Sequence, residues 1–403
     1  MRILYSLLAL LILNTGFSQD YYVYVAAESD DQVSILKFDG KEIIETDRVS
    51  VGIMPTENEG PHGITVDPNG KYWYLSLAHG SPNGSVVKYS TENNEPLSKV
   101  ELGLFPATMQ ISKTTGLLYV VNFNLHGLMK TSTVSVVDPE YMVEITKIKT
   151  GIMPHGSRMS PDGNLHYSVA MMSGELFEID AVDLSVKRIL SLDNNTHHRN
   201  AMHHSKLKPT WVTPSPSGHE LYIAANGSDN IYIVDTEKWK VKEVYKTGKG
   251  PYNIAVSPDG EKLITTLKNE GAVTIWSLKN RKQISRIKTT TSIPHGVVIS
   301  PDNKYAFVSV EGVGGESGKV DVINLEKLKL VASVEVGKQA GGNQSTKRFH
   351  WFLTESDLRV SDEHHPPGPS SSCSHTRPSP HNDLKNRRGR ALRVSVVLLL
   401  PAV

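Results

Sequence analysis

The sequence predicts an all-β fold, a seven-bladed β-propeller of four-stranded antiparallel blades, and three observations carry that expectation. The first is a recurring segment. Pro61-His62-Gly63-Ile64-Thr65-Val66-Asp67-Pro68-Asn69-Gly70 returns at Pro154-His155-Gly156, at Pro251-Tyr252-Asn253 and at Pro294-His295-Gly296, with weaker copies from Pro106 and Pro209. These starts lie 45, 48, 55, 42 and 43 residues apart, and a period in the forties is the length of one propeller blade. The second observation is that each unit reads as four short strands bounded by turn residues. The third is that residues 21–52 supply three more strands without a first one, so seven blades result if a C-terminal strand returns to complete the N-terminal sheet.

Taken in order, the N-terminal element is Arg2 followed by the mostly apolar run Ile3–Leu13, with the small residues Gly16 and Ser18 two apart before Gln19. That is the pattern of a secretory signal peptide over residues 1–18, cleaved after Ser18. The run is too short for a membrane span of roughly 20 residues, and no cysteine follows it to carry a lipid. Export to a periplasmic or extracellular location is therefore expected, with no transmembrane span.

From Pro61 onward an alternating strand enters each turn of the Ser160-Pro161-Asp162-Gly163 or Ser257-Pro258-Asp259-Gly260 type, where proline presets φ and glycine accepts a positive one. Second strands follow at Leu118–Asn122, Leu221–Ala225 and Tyr305–Val310, and third strands at Val134–Asp138, Ile231–Asp235 and Val320–Leu325. Fourth strands such as Val241–Lys246 and Leu330–Val336 lead into the next unit. A single sheet of this kind leaves both faces exposed, so the units must stack in a ring. The propeller is expected over residues 20–342.

After Gly342 the texture changes: residues 343–403 hold six prolines and nine serines, in stretches such as Pro366-Pro367-Gly368-Pro369. Such a composition buries no core, and the segment is expected to be disordered or an aberrant, frameshifted tail. Val336–Gly342 approaches the closing strand, but Asn343-Gln344-Ser345-Thr346-Lys347 is polar where an apolar strand is expected. The ring is accordingly expected to be incompletely closed, with an unpaired edge.

Charge and composition exclude several functions. Lys and Arg number 43 against 42 Asp and Glu, so no basic excess points to nucleic acid or an anionic membrane. The one cysteine, Cys373, rules out an intrachain disulfide and thiolate metal sites, leaving His, Met and carboxylate as possible ligands. Gly312–Lys319 lacks the spacing of a phosphate loop, and no Gly-x-Ser-x-Gly elbow or His-Glu-x-x-His helix occurs.

With Tyr119-Val120-Val121-Asn122 close to the eponymous tetrapeptide, the repeats resemble the YVTN-repeat seven-bladed propellers, relatives of the haem-binding propeller domain of periplasmic nitrite reductases. The resemblance covers roughly residues 20–342 and implies a fold. It does not imply one function, since propellers host binders, lactonases and redox enzymes.

The histidines are distributed unevenly. Propeller connectivity puts the entries to first strands and the links from second to third strands on one face. Nine of the eleven histidines before residue 343 map there, with His166 and His219 at the opposite turns. His62, His155 and His295 enter first strands at separations of two, three and two blades, a nearly trigonal set around the channel mouth. The insertion Asn194–His204 brings His197, His198, His203 and His204 to the same face. These seven are the candidate metal ligands, imidazole suiting copper, zinc, nickel and iron, and Met54 and Met153 are candidate sulfur donors or core filler. In outline the set is similar to the nitrous-oxide reductase propeller, whose channel histidines hold copper, although residues 343–403 carry neither a cupredoxin-like ligand set nor a Cys-x-x-Cys-His haem site. The primary expectation is an exported binding or scaffold module that presents its His-bearing face to a small ligand or protein. A copper- or haem-dependent redox protein and a lactonase-type hydrolase are the alternatives.

Overall fold

The computed structural model describes residues 19–52, 57–80, 83–193 and 204–346. The predicted signal peptide, Met54, His197, His198, His203 and the chain beyond Thr346 lie outside the described residues.

Seven four-stranded antiparallel sheets form the ring. Blade 1 combines Tyr21–Ala27, Gln32–Phe38 and Ile43–Ser50 with an innermost strand, Ala340–Thr346, from the other end of the domain. Blades 2 to 7 follow the chain, with innermost strands Pro61–Val66, Pro106–Ile111, Pro154–Met159, Pro209–Pro214, Pro251–Val256 and Pro294–Ile299. Each of the six repeat starts read from the sequence is thus the first residue of an innermost strand. Proline is tolerated there because a strand's first residue need not donate to the ladder.

One extra residue follows each of these prolines. Pro61 pairs with Leu77 and Ile64 with Leu75, and the same one-residue bulge recurs after Pro106, Pro154, Pro209, Pro251 and Pro294. A bulge re-aims the side chains beside it, and here the residue it frees is the one after each proline, at the channel mouth. Glycine at the third position has a steric reason. A Cβ on Gly63 would lie 1.7 Å from the Ala107 carbonyl oxygen, and one on Gly342 would lie 1.9 Å from that of His62. At these two junctions adjacent innermost strands approach too closely for any side chain, whereas blades 3, 5 and 6 hold Thr108, Trp211 and Asn253 at this position.

The core lies between blades. Tyr24, Val33 and Ile35 of blade 1 pack on Trp73 and Leu75 of blade 2, and equivalent clusters fill the other interfaces, ending with Tyr21, Val23 and Phe38 against Phe307 and Val322 of blade 7. At roughly 1.5–3 kcal/mol for each large apolar side chain buried, these interfaces dominate the stability of the ring. Outermost strands such as Lys240–Lys246 and Lys282–Lys288 alternate exposed and half-buried residues, and their lysines discourage edge pairing.

The ring is closed, contrary to the sequence expectation. Tyr22, Val23, Tyr24 and Val25 pair with Thr346, Ser345, Gln344 and Asn343, so the strand runs four residues past the boundary placed at Gly342. The expectation failed because innermost strands line a channel and do not need apolar alternation, as Ser157 and Gln110 show at the positions that match Asn343 and Gln344. Asn343 is buried and donates from Nδ2 to the Phe307 carbonyl at 3.2 Å. Among the described residues no helix is long and apolar enough to cross a membrane.

Candidate functional site

One backbone device, repeated seven times, builds the channel mouth. The residue before each innermost strand has a positive φ: Gly60, Phe105, Met153, Lys208, Gly250, Ile293 and Gln339, at 46° to 67°. Its carbonyl accepts the N–H of the residue that follows the second strand of the same blade: Ala78, Phe123, Met171, Asn226, Lys268, Glu311 and, in blade 1, Glu28, at 2.8 to 3.1 Å. Left-handed backbone is sparsely populated for residues other than glycine, and for β-branched Ile293 it is an outlier. The seven bonds hold two tiers of side chains over the channel. One tier follows the prolines and the other follows the second strands.

In the first tier His62, His155, Tyr252 and His295 meet. The His62 ring centroid lies 6.0 Å from that of His155 and 5.8 Å from that of His295. Tyr252 stands against both of the others, at 5.3 and 4.6 Å. The expected trigonal set of three histidines is therefore a four-membered cluster with a phenol wedged into it. His204 is described and exposed on the connection into blade 5. Met153 is buried against Phe105, Phe123 and Ile152 as core.

Hydrogen bonding assigns the tautomer of His155. Its Nδ1 lies 2.9 Å from the Thr210 carbonyl, which can only accept, so Nδ1 carries the hydrogen. Burial holds the imidazole far below its ordinary pKa, down to about 3, with the nearby His62 acting in the same direction, so the ring is neutral. Its Nε2 is then a lone pair and accepts the Tyr252 hydroxyl at 3.1 Å. His155 also has a plain structural duty. Around the channel a side-chain donor reaches the second-position carbonyl of the next blade: Ser76 to Ala107, Thr108 to His155, Thr210 to Tyr252, Thr266 to His295 and Ser309 to Gly341. At the blade 4 to blade 5 interface His155 Nδ1 takes that hydroxyl's place.

Glu28, which sequence reasoning missed, organises the other side of the mouth. His62 Nδ1 and His79 Nε2 donate to its two carboxylate oxygens at 3.0 and 2.9 Å. Burial pushes this carboxyl up, but the two hydrogen bonds and the positive charge of the imidazoles outweigh it and hold the pKa far below the usual carboxylate range. The Glu28 hydrogen bond raises the pKa of His79. Opposite, Lys268 Nζ pairs with Glu311 Oε1 at 2.7 Å and sits 4.4 Å above the Tyr252 ring. Burial, then the charge of Lys268 and the neighbouring imidazoles, push the pKa of His295 well down.

Among the described residues no three of His, Cys, Asp and Glu converge as a metal site would require. Two imidazoles are nevertheless oriented as metal-ligating histidines usually are, with Nδ1 of His62 on a carboxylate and Nδ1 of His155 on a backbone carbonyl. In the channel below the mouth the cavity lined by His62, Met109, Arg158, Trp211, Asn253 and His295 is only about 30 Å3. A groove of about 480 Å3 opens on the rim between blades 2 and 3, lined by Ala78, His79, Leu104, Phe105, Leu125 and His126. That volume lies within the usual range for small-molecule sites.

No family model matches the chain. Among curated proteins it is 25% identical over 202 residues to "Uncharacterized protein YncE" of Escherichia coli O157:H7, covering 50% of this chain and 56% of that protein. It is 26% identical over 197 residues to "Antigen Lp49" of Leptospira interrogans, covering 44% and 40%. The chain thus spans about half the length of the curated relatives it matches. Among solved structures, Kuenenia stuttgartiensis hydrazine synthase superposes with a TM-score of 0.58 at 22% identity, over 73% of this chain and 92% of that one. The periplasmic gluconolactonase PpgL of Pseudomonas aeruginosa superposes with a TM-score of 0.65 at 14% identity, over 81% and 99%. The chain is a seven-bladed β-propeller. At these identities the structural likenesses show that fold alone.

Proposed function

We propose that the protein is an exported propeller binding module whose ligand sits at the channel mouth, in the rim groove between blades 2 and 3. The observation that carries this reading is the groove itself. It is large enough for a small molecule, and its apolar floor of Leu104, Phe105 and Leu125 meets the Glu28-bound His79 at one end. A ligand with an apolar body and a polar, hydroxyl- or carbonyl-bearing end matches it. The test is a panel of sugars, aldonolactones and organic acids scored by shift in melting temperature on the wild type and on Leu104→Arg, which fills the groove from a half-buried position. Compounds that stabilise only the wild type support the reading. A panel that affects both proteins alike refutes it.

The second reading, a metal- or haem-dependent protein related to the reductase propellers, rests on the meeting of His62, His155 and His295 at the mouth and on the YVTN-type repeat. Against it, Tyr252 already occupies Nε2 of His155. Metal analysis of protein purified without a His tag decides: copper, zinc or iron near one equivalent, lost in the His62→Ala variant, supports it, and trace amounts refute it. Hydrolysis of a lactone in the panel would favour the lactonase reading, for which the likeness to PpgL offers only a shared fold.

A further inference from the structure

Arg158 poses a separate question. Its guanidinium lines the channel cavity below the histidine tier, 4.6 Å above the Trp211 ring, and Nη1 donates to the Ser157 carbonyl at 2.8 Å. Among the described residues no carboxylate pairs with it, so one of its five N–H groups has a protein acceptor and the charge has no counter-charge. The side chain is half-buried and open to the channel, and desolvation lowers its pKa to about 10. A cation in such surroundings is costly unless it is paired.

Two other residues of the same cavity hold buried polar atoms without a partner, Trp211 Nε1 and Asn253 Oδ1, while His295 faces the Gly341 backbone. Trp211, Asn253 and His295 are 7%, 4% and 5% exposed, so water reaches them only through the channel. Indole N–H is purely a donor. The amide of Asn253 presents N–H in place of Oδ1 when turned over, a choice that hydrogen-bonding partners decide. The surroundings therefore offer one uncompensated positive charge and several unused donors, with no acid among the cavity's lining residues.

We propose that the channel centre, between Arg158, Trp211, Asn253 and His295, is a binding site for a small monovalent anion of halide size. The charge selects an anion and the volume selects its size. A cavity needs on the order of 10–15 Å3 per water, so about 30 Å3 suits a monatomic anion better than sulfate, phosphate or an organic carboxylate. The site is independent of the rim groove and of whatever that groove binds.

The test uses the full chain in chloride, bromide and gluconate at matched ionic strength. Chloride and bromide should raise the melting temperature saturably in the millimolar range, gluconate should not, and Arg158→Gln should lose the difference. A response that is linear in salt, equal in all three salts or unchanged in Arg158→Gln overturns the proposal. Should that variant fail to fold, bromide-soaked wild-type crystals decide. An anomalous peak within hydrogen-bonding distance of Arg158 supports the site, and water there in its place overturns it.

Discussion

Replacing His166 by leucine should stabilise the protein and flatten its acid limb. His166 is the second residue of the second strand of blade 4, a register position held by Leu221 in blade 5 and Leu263 in blade 6. It is fully buried, stacked on Tyr119 with centroids 5.1 Å apart, and neither ring nitrogen has a hydrogen-bond partner. Two desolvated, unpaired nitrogens cost on the order of 1–3 kcal/mol at neutral pH, where leucine would leave nothing unsatisfied.

The acid effect adds to this. Burial, with the charge of Arg158 acting in the same direction, lowers the pKa of His166 to about 3. The unfolded imidazole takes a proton near pH 6.5 and the folded one does not, so stability is lost as pH falls from 6.5 towards 3. At pH 4 the difference is about 2.5 pH units, or about 3 kcal/mol at 1.36 kcal/mol per unit. His155, also near 3, contributes a loss of the same sign that the variant leaves in place. Urea unfolding followed by tryptophan fluorescence at pH 7 and pH 4 measures both effects. The stability difference between variant and wild type should widen by about 3 kcal/mol at the lower pH. Equal losses in the two proteins would show that His166 is not held neutral.

Three further outcomes follow from the same geometry. Glu28→Gln should let the pKa of His79, read by NMR titration, fall back toward or below 6.5 and cost about 3 kcal/mol; an unmoved His79 would refute the clamp. The sign follows from the two shifts. Glu28 stabilises above its ordinary 4.5 and loses that contribution in acid, whereas His79 stabilises below 6.5 and loses it as pH rises through its raised pKa. Gly63→Ala should cost more than ~4 kcal/mol, since its Cβ would lie 1.7 Å from the Ala107 carbonyl oxygen, and near-wild-type urea stability would refute the close approach. Ending the chain after Thr346 should change stability little, while ending it after Gly342 should cost more than ~4 kcal/mol by stripping the partners of Tyr22 to Val25. Equal melting temperatures for the two truncations would refute closure by this strand.

The blades were legible because their punctuation is chemical. Proline, glycine and the Ser-Pro-Asp-Gly turn recur at fixed offsets, and every repeat start proved to be an innermost strand's first residue. The closing strand was illegible to a rule that expects apolar alternation, since Asn343 and Ser345 spend their polar groups on the backbone of blade 7, at the Phe307 and Ile299 carbonyls. The meeting of His62, His155 and His295 could be read from blade order, but the intrusion of Tyr252 could not, although it occupies the same position after proline. Glu28 escaped notice because blade 1 has no N-terminal first strand against which to set its register. Aligned on the end of the second strand, Glu28 falls in line with Lys268 and Glu311, and that alignment is the sequence signal that would have found it.

The backbone of the mouth is sevenfold and its side chains are not, and function belongs with the departure. All seven blades share the positive φ and the bond that follows it, so these serve the ring and select nothing. The two tiers of side chains divide the mouth instead. Consecutive blades 6, 7, 1 and 2 carry Tyr252 with Lys268, His295 with Glu311, Glu28, and His62 with His79, a continuous arc of paired polar groups. Blade 4 adds His155 to the polar side, while Phe105, Phe123, Met153 and Met171 of blades 3 and 4 form an apolar patch with Leu104 and Leu125 beside them. A uniform polar ring would suit an ion on the axis and a uniform apolar one a plug. A mouth split in two favours a ligand that is itself two-ended, lying across the boundary, and the rim groove lies at that boundary, where His79 of blade 2 faces Leu104 and Leu125 of blade 3.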